Sequence, residues 1–211
     1  MKPYTFEKRR TVGLNALLYL PEQGANEPLP LLLYLHGGGE SGQDPELLKT
    51  CGLPKLIEEG RTVPFIVLAP QNPHPDQLFS DEAIFALLEE VMTTYPVDAK
   101  RVYLTGFSRG GFAAWRMAMQ RPDLFAALVP VAAGGLVTYA FRAKEVPVWA
   151  FHGALDEAIP LTLGAEMVDA LRKAGGKVKL TVFPEADHAQ TLERTYQQPD
   201  LYEWLLEQKK D

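Results

Sequence analysis

Short, mostly apolar runs recur along the chain, separated by longer stretches in which apolar residues return every three or four positions. The runs are Leu31 to Leu35, Phe65 to Ala69, Val102 to Phe107, Ala127 to Ala132, Val146 to Phe151 and Val178 to Phe183. Leu31 to Leu35, continuously apolar, suits a strand buried on both faces of a mainly parallel sheet, and the other runs are similar. Between them, helices are predicted over Leu53 to Glu59, Asp81 to Thr94, Gly110 to Gln120, Leu161 to Ala174 and Leu201 to Lys209. In Asp81 to Thr94, the residues Ile84, Leu87, Leu88 and Val91 fall at i, i+3, i+4 and i+7, which gives one stripe facing a core. This βαβ alternation predicts an α/β fold. Ahead of it, Phe6 to Arg10 and Asn15 to Tyr19 flank a turn marked by Gly13 and predict an antiparallel hairpin, followed by the proline-studded loop PEQGANEPLP.

Composition narrows the picture. The 211 residues, 46% hydrophobic and 23% charged, suffice for one well-buried core, so a single domain over residues 1–211 is expected. No repeat or linker divides the chain, and only the short segment from Gly134 to Glu145 offers room for an inserted cap. The net charge of -6 and the scattered lysines and arginines leave no basic stripe to follow a phosphate backbone, so nucleic acid is not an expected partner. No stretch nears the roughly 18–20 apolar residues of a membrane helix. MKPYTFEKRR lacks the apolar core of an export signal, so a cytoplasmic location is expected, although a mature secreted chain would read the same. The lone Cys51 excludes an internal disulfide framework and reads as a small buried or half-buried residue.

Four short stretches carry candidate chemistry. Gly106-Phe107-Ser108-Arg109-Gly110 fits G-x-S-x-G between a predicted strand and a predicted helix, the setting of a nucleophile elbow. Ser41 and Ser80, the other two serines, have no such setting. His36-Gly37-Gly38-Gly39 follows the first apolar run, and such a loop can aim backbone N–H groups at a carbonyl oxygen. The N–H groups of Gly38 and Arg109 are the expected oxyanion donors. A phosphate-binding reading of the loop fails because G-x-x-x-x-G-K is absent and no lysine follows until Lys49.

The base must be one of four histidines. His188, in FPEADHAQT after the last strand, can return its ring to the serine. His36 reads as a hydrogen-bonded structural residue, His74 as exposed, and His152 as packed or bonded to its loop. The acid is expected a few residues beyond VPVWAFHG, at Asp156, which would fix the imidazole tautomer and stabilise its charged form. Its rivals are Glu157, readable as a solvated cap, and Asp187, too near His188 in sequence to reach the far side of its ring. Phe79, Phe107, Trp115, Tyr139 and Phe141 read first as core aromatics and only second as walls of a substrate site. No H-x-x-x-H or C-x-x-C pair exists, and neither metal nor cofactor is expected.

The order Ser108, Asp156, His188 is that of the α/β hydrolases. The stretches LPLLLYLHGGGESGQD, RVYLTGFSRGGFAAWRMAMQRPDLFAALVPVAAGG, VPVWAFHGALDEAIPL and FPEADH resemble the compact α/β hydrolases of the phospholipase/carboxylesterase group, closest to its predicted-peptidase or feruloyl-esterase-like branch. The likeness runs from about residue 10 to the C-terminus. It implies an α/β-hydrolase fold without a lid domain, with Ser108 as nucleophile, His188 as base, Asp156 as acid, and Gly38 and Arg109 at the oxyanion. Two positions depart from the pattern: Arg109 stands where Met or Gln is expected, and Ala189 follows His188 where a polar residue is common. The expected activity is serine carboxylesterase on small acyl or aryl esters, with a monomer or homodimer as the assembly. Thioesterase, hydroxycinnamoyl esterase and small peptidase are alternatives on the same residues. A scaffold kept only for binding would be expected to have lost one of the three.

Overall fold

The structure, a computed structural model, describes residues 2–7, 13–21 and 27–210. Among these residues one sheet of eight strands is formed: β1 (Lys2–Glu7), β2 (Gly13–Tyr19), β3 (Leu29–Leu35), β4 (Ile66–Pro70), β5 (Val97–Phe107), β6 (Ala127–Val131), β7 (Val148–Gly153) and β8 (Val178–Phe183). Their order is β1-β2-β4-β3-β5-β6-β7-β8. β3 to β8 are parallel, while β2 lies antiparallel to both β1 and β4. The predicted hairpin is present, with Phe6 opposite Leu14, but its first strand lies at Lys2–Glu7; residues 8–10 of the predicted one fall outside the described residues.

Six α-helices among the described residues cover the sheet: α1 (Gly52–Glu58), α2 (Asp81–Thr94), α3 (Arg109–Gln120), α4 (Leu161–Lys173), α5 (His188–Gln197) and α6 (Pro199–Glu207). Alternate residues of each central strand feed opposite cores, as the two-residue period of a strand requires. Leu31, Leu33 and Leu35 join Ile84, Leu87, Trp115 and Met167 beneath α2, α3 and α4. Leu32 and Tyr34 join Leu53, Leu192, Tyr196 and Leu201 on the other face. All four residues of the predicted α2 stripe are buried.

Two readings change. β5 is almost twice its predicted length because its polar first half, Val97 to Arg101, is exposed or half-buried and carries no apolar signal. α5 has no counterpart among the predicted helices: HAQTLERTYQ is polar, with Leu192 and Tyr196 as its apolar anchors. Its sequence mark is the capping box. The Asp187 carboxylate accepts from the Gln190 N–H at 2.8 Å and the Gln190 side chain accepts from the Asp187 N–H at 3.1 Å.

The Gly134–Glu145 segment forms a short 3-10 helix, Val137–Ala143, that packs on α3 and α4 through Ala140 and Ala143. Tyr139 and Phe141 on it are 50% and 56% exposed, so these two are not core residues, whereas Phe79, Phe107 and Trp115 are buried. No helix among the described residues is long and apolar enough to cross a membrane.

Candidate active site

The carboxyl ends of the parallel strands carry every predicted site residue, the edge where open α/β sheets bind ligands. Gly38 follows β3, Ser108 follows β5, Asp156 follows β7 and His188 follows β8. A large surface concavity, lined by Tyr19, Ile57, Arg61 and Phe65, opens instead at the opposite end of the strands.

Ser108 is half-buried and has φ 52° and ψ -121°, one of two non-glycine residues with positive φ among those described. An L-residue is strained in this geometry, which persists only where the surroundings enforce it. Here the Ser108 N–H donates to the Val131 carbonyl at 2.9 Å and the Ser108 carbonyl accepts from the Phe112 N–H at 3.0 Å. A Cβ at Gly106 would collide with the Gly110 carbonyl, and one at Gly110 with the Leu35 carbonyl. Strand, turn and helix therefore close on one another only with glycine at both places. Arg116 then anchors α3 to the start of α2: its Nε donates to Asp81 Oδ2 at 2.7 Å and its Nη2 to Asp81 Oδ1 at 2.5 Å.

Asp156 and His188 meet. His188 Nδ1 lies 2.7 Å from Asp156 Oδ2, and the other carboxylate oxygen accepts from the Ile159 N–H at 2.8 Å. The Asp156 side chain is fully buried while that of His188 keeps 24% exposure, so the charge is held inside and the ring reaches the surface. The two loops are joined by backbone bonds, Ala154 N–H to the Phe183 carbonyl and Leu155 N–H to the Ala186 carbonyl, both 3.0 Å. The ring also packs on Phe107, centroids 4.5 Å apart, which sets it beside the residue preceding Ser108. Sequence reasoning reads Phe107 first as core; its place in G-x-S-x-G is the available sign that its ring borders the site.

The rivals are placed elsewhere. Asp187 is the α5 cap, and Glu157 is exposed. His74 is exposed as well. His36 is buried, its Nε2 accepting from the Asn72 N–H at 2.9 Å, which assigns the proton to Nδ1 and its 2.6 Å bond to the Gly37 carbonyl. It fixes the glycine loop from within. Cys51 donates its thiol proton to Glu40 Oε1 at 2.5 Å; burial and then the neighbouring Glu40 push its pKa far above the ordinary thiol value, so it stays a thiol.

His152 Nε2 lies 2.9 Å from the Ile159 carbonyl and 3.7 Å from Asp156 Oδ2. Burial lowers its pKa, outweighing the Ile159 bond and the nearby Asp156, with His188 adding slightly to the lowering. A neutral His152 leaves Asp156 to His188. Since the unfolded chain takes up this proton more readily, the stability contributed by neutral His152 is present above pH 6.5 and is lost as pH falls below it toward the folded-state value. Thermal unfolding followed between pH 7.5 and pH 5 checks this, with His152→Asn expected to flatten the fall; an unchanged slope contradicts it.

The Gly38 loop and the first turn of α3 complete the site. The amino-terminal N–H groups of a helix have no intrahelical acceptor, so the Arg109 N–H, at the first position of α3, is free to face an anion. The Arg109 guanidinium lies across Gly38: a Cβ there would be 3.4 to 3.7 Å from Nη2, Cζ and Nε.

The sequence model of the phospholipase/carboxylesterase family matches residues 70–197. The chain is 24% identical over 160 residues to the bifunctional acetylxylan esterase/xylanase XynS20E of Neocallimastix patriciarum, covering 73% of this chain and 23% of that protein. It is 25% identical over 124 residues to acyl-protein thioesterase 1 of Neurospora crassa, covering 55% of this chain and 51% of that one. Among solved structures, a thermostable esterase superposes with a TM-score of 0.86 at 28% identity, over 99% of this chain and 63% of that one. The chain thus spans from under a quarter to under two thirds of the length of these relatives.

Proposed function

Because this chain belongs to the phospholipase/carboxylesterase family and has the α/β-hydrolase fold, we propose that it is a serine carboxylesterase acting on short-chain acyl or small aryl esters. The observation that carries the proposal is the 2.7 Å Asp156–His188 pair set against Phe107, beside a serine held at positive φ.

Ser108 Oγ attacks the ester carbonyl as His188 Nε2 takes its proton. Asp156, bonded to Nδ1–H, holds the tautomer that leaves Nε2 free to accept and stabilises the imidazolium that forms. The N–H groups of Gly38 and Arg109 receive the developing oxyanion. The tetrahedral intermediate expels the alcohol, protonated by His188, and leaves an acyl-serine. Water, deprotonated by the same imidazole, then releases the acid and restores Ser108.

Substrate size follows from the Val137–Ala143 segment. With Ala140 and Ala143 buried against the body, it lies down on α3 and α4, leaving Leu136, Tyr139 and Phe141 exposed on its outer side. Each methylene buried in a closed tunnel contributes about 0.8 kcal/mol, but carbons left in water gain little. Across a nitrophenyl ester series, kcat/KM should stop rising after the first few acyl carbons and show no jump at the critical micelle concentration. A steady climb through long chains, or activation by micelles, would overturn the short-chain assignment.

A further inference from the structure

We propose that the Arg109 side chain is a specificity residue that receives a second, ionised carboxylate of the substrate, close to the scissile carbonyl. The idea rests on the esterase reading above and narrows its substrate class to half-esters of short dicarboxylic acids.

The cation has no counterion among the described residues. Arg109 makes no ion pair among the described residues, and Asp76, next to its partner Pro75, is not paired with it. The contrast lies within the same helix, where Arg116 has both oxygens of Asp81. Arg109 instead bonds neutral oxygens, and through one nitrogen only: Nη1 donates to Ser41 Oγ at 3.4 Å and to the Pro75 carbonyl. These contacts hold the side chain in one pose and leave Nε–H and the Nη2 protons without a partner among the described residues. That edge of a guanidinium is the one that binds a carboxylate through two parallel hydrogen bonds.

The pose brings the free edge to the reaction. The guanidinium covers Gly38, whose N–H is an assigned oxyanion donor, while the backbone N–H of the same Arg109 is the other. A carboxylate on Nε and Nη2 therefore sits only a few bonds from the carbonyl that Ser108 attacks. The side chain is half-buried and already tied down, so less conformational entropy is lost on binding than from a free surface arginine. A lysine, with a single mobile ammonium, would keep the charge and lose the two-pronged geometry.

The test compares monoethyl glutarate with its uncharged isostere, the same ethyl ester carrying a terminal carboxamide, in a pH-stat at low and at roughly 0.5 M salt, where exposed charge pairs are screened. A hydrogen bond to a charged partner is strong enough to favour the half-ester by on the order of tenfold in kcat/KM. That preference should shrink in salt, fall to unity or below in Arg109→Met, and survive in reduced form in Arg109→Lys. Wild-type protein that prefers the carboxamide, or an Arg109→Met variant that slows both esters by the same factor, overturns the proposal and leaves Arg109 as a tie between loops. Failure of the esterase reading has a different signature, with neither ester turned over and Ser108 unlabelled by an organophosphate, and it overturns both.

Discussion

Ser108→Ala should lower kcat by about 10⁶, the loss seen when the nucleophile of a comparable serine hydrolase is removed. An organophosphate should label wild-type protein once, at Ser108, and leave the variant unmodified; peptide mapping that put the label on Ser41 or Ser80 would defeat the assignment. Ser80 Oγ is engaged in capping α2, accepting from the Ala83 N–H at 3.3 Å. Ser41 Oγ accepts from Arg109, and Ser41 lies in a loop with no strand-turn-helix setting. At Ser108, by contrast, positive φ, two obligatory glycines and the Phe107–His188 contact converge. Because the substitution removes only the hydroxyl, the fold should persist, and unchanged thermal unfolding would confirm that chemistry alone was lost.

Asp156→Asn should reduce kcat by about 10⁴ with the fold intact, since an amide in place of the carboxylate favours the wrong imidazole tautomer. Asp187→Asn is the matched control. Asn caps a helix nearly as well as Asp, so stability should change by less than about 1 kcal/mol and kcat hardly at all. Asp187→Ala should cost about 1 kcal/mol of stability, again with little change in kcat. Steady-state rates and denaturant midpoints on the three variants separate these roles. Should Asp187→Asn prove the more damaging to kcat, Asp156 is not the acid.

Most of the architecture was legible because buried parallel strands are apolar on both faces, and these runs stand out from any context. The candidate site was legible for another reason: an elbow imposes glycine on its neighbours, and three polar residues after the ends of β5, β7 and β8 appear in one order. What escaped was held by polar contacts. α5 announces itself through Asp187 and Gln190, a capping pair that a search for apolar periodicity passes over. β5 begins among exposed residues, where pairing with Leu29 and not hydrophobicity extends it. The posture of Arg109 depends on Ser41 and Pro75, 68 and 34 residues away in sequence, and no local pattern encodes such a contact.

The edge position of β8 bears on motion. β8 pairs only with β7 among the described strands, and five of its six residues are half-buried or exposed, so fraying there would displace the imidazole that packs on Phe107. The chain counters this immediately after His188. Thr191, Thr195 and Tyr196 of α5 are fully buried, Tyr196 OH bonds Thr105 Oγ1 at 2.7 Å, and the Tyr202 hydroxyl donates to the Tyr196 carbonyl at 2.6 Å. Thr105 stands in β5, three residues before Ser108. His188 is thus moored to the centre of the sheet by the helix it begins, and amide exchange around it should follow the slow opening of β5 instead of the rapid opening of the margin.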